Sequence, residues 1–202
     1  MSKKKRKKLK KEEKKFDKRM AKQRAKKGYC DLDVWNFDTF FSERVSEMLE
    51  ELAQISHGYC PLDEEGNIIP PHEHYLIMEN PDADETVYTT RWANALKRMA
   101  FLCREMSEIS CSRVNPYENE LDEIYKVFEK KYGICGQKLN AINGTENRFY
   151  SPKDDPDPEV SKPYKELWQK WMDYEDETQK YRESCKKEFF TMFEKYFFYL
   201  WD

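Results

Sequence analysis

Glycine is scarce in this sequence, six in 202 residues, and a chain so poor in turn-making residues favours helices over the tight turns of a β fold. No run of about 18 apolar residues exists, which argues against a membrane span. The basic N-terminus is never followed by an apolar core, so a secretory signal is not expected either. Paired C-x-x-C cysteines are missing too. The six cysteines, Cys30, Cys60, Cys103, Cys111, Cys135 and Cys185, are scattered and read as reduced thiols of a cytosol. Cys30, Cys60 and Cys135 lie beside Gly or Pro, which leaves a disulfide open in an oxidising compartment. Gly-rich phosphate loops, G-x-S-x-G elbows and zinc signatures are all lacking. The expectation is therefore a protein without a cofactor or a catalytic set.

What the chain does have is charge, 37% of its residues, and aromatic rings, 15%. The net charge of −3 conceals a strong asymmetry. Residues 1–28 hold 16 Lys+Arg against 3 Asp+Glu, a balance of +13, which leaves −16 for residues 29–202. Residues 1–27 are mostly Lys, Arg and Glu, with Phe16, Met20 and Ala21 as the few apolar positions. Such a segment buries too little surface to fix itself and is expected to be disordered or conditionally helical. Lys3, Lys4, Lys5, Arg6, Lys7 and Lys8 form a nucleic-acid-binding candidate, with a solubilising tail as the plainer alternative. Lysine runs without interleaved aromatics supply phosphate affinity but no base readout.

Residues 28–202 read as a single α-helical domain. Phe41, Val45, Met48, Leu49, Leu52 and Ile55 recur at steps of three and four, the stripe of a helix of about 20 residues. Asp38 is placed as its N-cap and Gly58 as its C′ residue. Pro61, Pro70, Pro71 and Pro81 then forbid a long helix. A second helix opens near Asp82 or Asp84 and runs to about Ser110, with Trp92, Leu96, Met99 and Cys103 on its apolar face. A third starts at Asn115 and Pro116, carries Leu121, Ile124 and Phe128, and ends at Gly133. Residues 134–163 read as a long loop, and the last helix begins after Pro163. Its end, FFTMFEKYFFYLWD, is apolar nearly all round and must be sequestered, with self-association through that helix as one route. The expected fold is an all-α bundle of about four main helices with two long irregular loops and a basic tail.

Three segments, GYCDLDVWNFDTFF, ISHGYCP and FEKYFFYLWD, resemble a widespread set of small tailed-phage proteins. The matching positions are Gly28, Asp33, Trp35, Asp38, His57, Gly58, Tyr59, Leu200 and Trp201, and Cys60 departs from the pattern by standing before Pro61. The resemblance covers about half of the chain. It implies a bacterial host cytosol during infection, with no established activity.

Two site readings follow. In the first, Trp35, Asp38, His57 and Tyr59 wall a pocket in which the rings stack on a flat ligand, and Arg91 or Arg98 meets its phosphate or carboxylate. That suits a non-enzymatic phage protein that binds a host defence factor or sequesters a nucleotide-like signal. In the second, Asp31, Asp33 and Asp38 join His57, or His72 and His74, in a metal site for hydrolysis, although no spacing guarantees convergence. The basic segment as a nucleic-acid arm is the remaining alternative.

Overall fold

The computed structural model describes residues 3–55, 58–80 and 82–201, with side chains from residue 6 onward. Its α-helices, in chain order, are α1 (Lys3–Lys27), α2 (Asp31–Trp35), α3 (Phe37–Ile55), α4 (Pro71–Met78), α5 (Glu85–Glu105), α6 (Glu118–Tyr132), α7 (Gln137–Asn143) and α8 (Pro158–Tyr196). Among the described residues two 3₁₀ turns lie between helices and a third follows α8, and the one pairing of extended backbone is an isolated bridge between Leu62 and Ile68. The all-α expectation holds. That of about four main helices does not, because both segments read as long loops contain a helix of their own, α4 in the first and α7 in the second.

The chain divides into two compact units, Met1–Cys111 with Ser184–Asp202, and Ser112–Glu183. In the first, α3 packs along α5, and the face it buries is centred on Ser42, Ser46 and Leu49. Met48 and Ile55, on the expected apolar stripe, are exposed. The two serines are small and satisfied within their own helix, Ser42 Oγ donating to the Thr39 carbonyl and Ser46 Oγ to that of Glu43, each at 3.0 Å. They can therefore be buried without an unpaired hydroxyl, and they let the Cys103 thiol donate to the Ser42 carbonyl at 3.5 Å.

Asp38 is not the N-cap. Helix α3 already begins at Phe37, the Asn36 carbonyl accepts from the Phe40 amide at 3.0 Å, and Asp38 sits in the first turn, where a carboxylate favours the helix dipole. Asp84 does cap α5, accepting from the Thr86 amide at 3.0 Å. That helix stops at Glu105 rather than near Ser110. Ser107 Oγ accepts from the Ile109 amide and Ser110 Oγ donates to the Arg104 carbonyl, so serine side chains take over the last turn. Trp92, Leu96, Met99, Leu102 and Phe189 form the core of this unit. Trp92 meets Tyr196 edge-on at 5.5 Å, and the Tyr196 hydroxyl donates to the Gly66 carbonyl at 2.6 Å, which fastens the turn around residue 66.

The second unit starts from Asn115, whose Oδ1 accepts from the Tyr117 amide at 3.1 Å while its Nδ2 donates to the Trp171 carbonyl and to Glu175. Leu121, Tyr164 and Leu167 make one buried cluster; Phe128, Leu139 and Tyr150 make another. Helix α8 begins at Pro158, ahead of Pro163, because Asp157 caps it: Asp157 Oδ1 accepts from the Glu159 amide at 3.0 Å and Pro158 fills the first position. Gly136 is required by its surroundings. Its φ is +64°, and a Cβ there would stand 2.7 Å from the Cβ of Tyr150.

Candidate functional site

Helix α1 carries 16 of the chain's 36 Lys and Arg residues on a regular scaffold. From Arg6 to Lys27 its side chains are exposed except Met20, which is buried, and Gln23, which is half-buried. With 25 residues it is roughly 37 Å long. Its low content of Gly and Pro permits the helix, whereas the absence of any acidic residue in the first turn leaves the dipole uncompensated there. The last turn, with Arg24, Lys26 and Lys27, has the favourable sign.

The C-terminal end of α1 is clamped. Arg24 Nε donates to Asp33 Oδ2 at 2.9 Å and Nη2 to Oδ1 at 2.5 Å, a bidentate pair onto a carboxylate that is 6% exposed. The Cys30 amide adds a bond to Asp33 Oδ2 at 2.7 Å. Beside this, Gln23 Nε2 donates to Asp31 at 2.8 Å and the Asp31 amide returns a bond to Gln23 Oε1 at 3.0 Å. The Arg24 guanidinium first, then the Cys30 amide, hold the Asp33 carboxyl well below the ordinary carboxylate range against the opposing effect of its burial. Sequence reasoning placed Asp33 in an acidic cluster and Arg24 in a tail. The signal that joins them is Gly28, which ends α1 and turns the chain so that residues nine apart can meet.

Of the basic candidates, Lys3, Lys4 and Lys5 open the backbone of α1, and their side chains lie outside the described ones; Arg6, Lys7 and Lys8 are exposed. The ligand-site candidates are only partly brought together. Trp35 is 87% exposed. His57 and Pro81 lie outside the described residues. Tyr59 belongs to a half-buried cluster of rings, stacked on Tyr88 at 6.2 Å and edge-on to His74 at 5.6 Å, with its hydroxyl 3.3 Å from His74 Nε2. Burial foremost, with the charge of Glu85 adding to it, pushes the Tyr59 phenol up to about 12. Arg91 and Arg98 do share a cavity, of about 510 Å³, with Asn94, Thr191 and Lys195. Neither Trp35 nor Tyr59 lines it. Both guanidinium groups in it already face carboxylates: Arg91 donates to the Leu62 carbonyl and to Glu64, and Arg98 binds both oxygens of Glu188 at 2.8 Å.

Among the described residues no three His, Cys, Asp or Glu side chains stand close enough to hold a metal ion. Asp31 is engaged by Gln23, Asp33 by Arg24, and His74 by Tyr59.

Two further features come from elements whose faces the sequence revealed only in part. In the first unit, Phe37, Phe41, Phe190, Phe189, Phe193, Phe197 and Phe198 form an unbroken chain of ring contacts at 5.1–6.3 Å. Phe189 is buried, whereas Phe198 is 85% exposed. In the second unit a groove of about 370 Å³ lies between α6 and the start of α8. The chain matches no family model, no curated protein and no solved structure.

Proposed function

We propose that this chain is a non-enzymatic binding protein that grips a polyanion, a nucleic-acid backbone being the class that fits, through the clamped basic helix α1. The observation that carries the reading is the Arg24–Asp33 pair. A free lysine tail would bind phosphate too, but it would lose its conformational entropy on doing so. Here a charge balance of +13 is laid on a helix about as long as one turn of duplex, roughly 34 Å, and fixed at one end. Phosphates attract such a rod wherever they lie, so the contacts favour affinity over sequence readout. The remainder of the chain, at −16, repels the same ligand and confines it to α1. The resemblance to tailed-phage proteins is compatible with a role on host or viral nucleic acid during infection.

The test removes residues 1–15, which hold ten of the basic residues, and keeps Met20, Gln23 and Arg24 in place. Binding to a duplex DNA and to a single-stranded RNA is measured by fluorescence anisotropy across a salt series. The intact chain should lose affinity by about 10³ between 50 and 200 mM salt, as expected for six or more phosphate contacts. The truncated chain should bind at least about tenfold more weakly with a flatter slope. Equal affinity in the two chains ends this reading.

A second reading rests on the phenylalanine ridge: self-association through the C-terminal helix. Phe37, Phe190, Phe197 and Phe198 are exposed at points along that ridge in the first unit, which is unusual for a monomer surface. Sedimentation velocity should show a dimer that Phe198→Glu returns to monomer. A monomer at tens of micromolar protein would remove this reading and leave the first untouched.

A further inference from the structure

The groove in the second unit has two unlike walls. Helix α8 presents Tyr164, Trp168 and Trp171, at steps of four and three along one face, with Trp168 stacked against Trp171 at 5.1 Å and against Tyr164 at 6.2 Å, both pairs within 23° of parallel. Centroids that far apart in near-parallel rings mean offset stacking, so part of each π face is left uncovered. Helix α6 presents Glu118 and Asp122, one turn apart and both exposed. Leu121 and Tyr164 are buried and make the floor. Trp168 remains 43% exposed at the rim.

An apolar floor, aromatic faces and carboxylates converging on about 370 Å³ are the chemistry that recognises an organic cation. The aromatic faces attract positive charge by their quadrupole and do not desolvate it as strongly as an ion pair would. The carboxylates supply the long-range attraction. An anion would meet two negative charges, and a neutral ring would gain nothing from them. Lys153 lies at the groove with Ser151 and leaves the lining at a net −1. A cation that also bears a hydroxyl or an acidic group has a partner there. We infer that this groove is a binding site for a small quaternary-ammonium or alkylammonium cation, seated on Trp168 and Trp171 and held by Glu118 and Asp122. This site is independent of the polyanion reading of α1, and the two stand or fall separately.

The test uses the full chain labelled with 5-fluorotryptophan, whose five resonances are assigned with Trp168→Phe and Trp171→Phe. Choline is the probe, and 3,3-dimethyl-1-butanol, its uncharged isostere, is the control. Choline should shift the Trp168 and Trp171 signals saturably, and the isostere should bind at least about tenfold more weakly. Asp122→Asn and Glu118→Gln, both at exposed positions, should each weaken choline severalfold without moving the thermal midpoint. Equal affinity for choline and its isostere would reduce the groove to an apolar cleft and overturn the assignment. So would an unchanged affinity in both carboxylate variants, or choline leaving both signals in place up to millimolar concentration.

Discussion

Helix α1 and the last part of α8 belong to the same unit and share a backbone conformation, yet they are helical for opposite reasons. Along α1 the side chains face water apart from Met20 and Gln23, and order comes from straight-chain residues, an i,i+4 approach of Lys8 to Glu12 at 3.9 Å, and burial of Met20 beside a clamp at one end. Over Ser184–Tyr196 the helix is held by what it buries, with Phe189 fully enclosed and Tyr196 locked onto Trp92 and Gly66. Helix content therefore says little about core membership here. What ties α1 down is one charged side chain, Arg24, with one buried side chain, Met20, and for α8 it is a set of rings.

The largest effect that separates the two helices is Phe189→Ala, which should cost about 3–5 kcal/mol because a fully buried ring leaves a cavity. Urea denaturation would show it as a lowered midpoint, while deletion of residues 1–15 should stay within about 0.5 kcal/mol of the intact chain. Comparable losses from both changes would mean that α1 is part of the core after all.

Alkaline titration should act next, through two buried thiols of the first unit. Burial pushes the Cys60 and Cys103 thiols up to about 12. The folded chain keeps them protonated while the unfolded chain ionises them near pH 8.5. Their contribution is complete below that pH and is lost as pH rises toward 12. Thermal melts over this interval should fall steadily, with the helicity of α1 no worse affected than that of the body.

A smaller and more local effect is expected at the clamp. Asp33→Asn removes the charge that Arg24 grips, so cleavage by trypsin within 18–27 should quicken with little change in the body's melting. Acid should imitate it. The Asp33 carboxyl is held low, so its contribution is intact above the ordinary carboxylate value of about 4 and disappears as pH falls through its lower folded value. The smallest shift should come from salt, which screens repulsion between neighbouring lysines and should raise the ellipticity of α1 slightly. No salt response, with digestion unchanged in Asp33→Asn, would place the stability of α1 elsewhere.

Much of the fold could be read from local chemistry. Asp84 and Gly133 bound their helices as their residue types require, and Asn115 caps the turn that leads into α6. The same logic was present in Asp157–Pro158, but Pro163 drew the boundary inward, since a proline within a helix is rarer than one at its start. The buried face of α3 escaped because serines do not register as apolar, although an intrahelical bond makes them cheap to bury. The sites were harder still. Arg91 and Arg98 lie on one helix, but the carboxylates that occupy them, Glu64 and Glu188, come from far along the chain. The rings of Trp168 and Trp171 share one helix, whereas the acidic edge that lines the groove with them belongs to another, and no spacing in sequence announces that meeting.

Gly136 and Gly144 adopt nearly the same left-handed geometry, φ +64° and +62°, but only the first is hemmed in by other atoms. Mutational history ought to treat them unequally. Descendants of this gene should keep glycine at 136 without exception, because every alternative codon drives a methyl or more into Tyr150, whereas 144 is free to drift to asparagine.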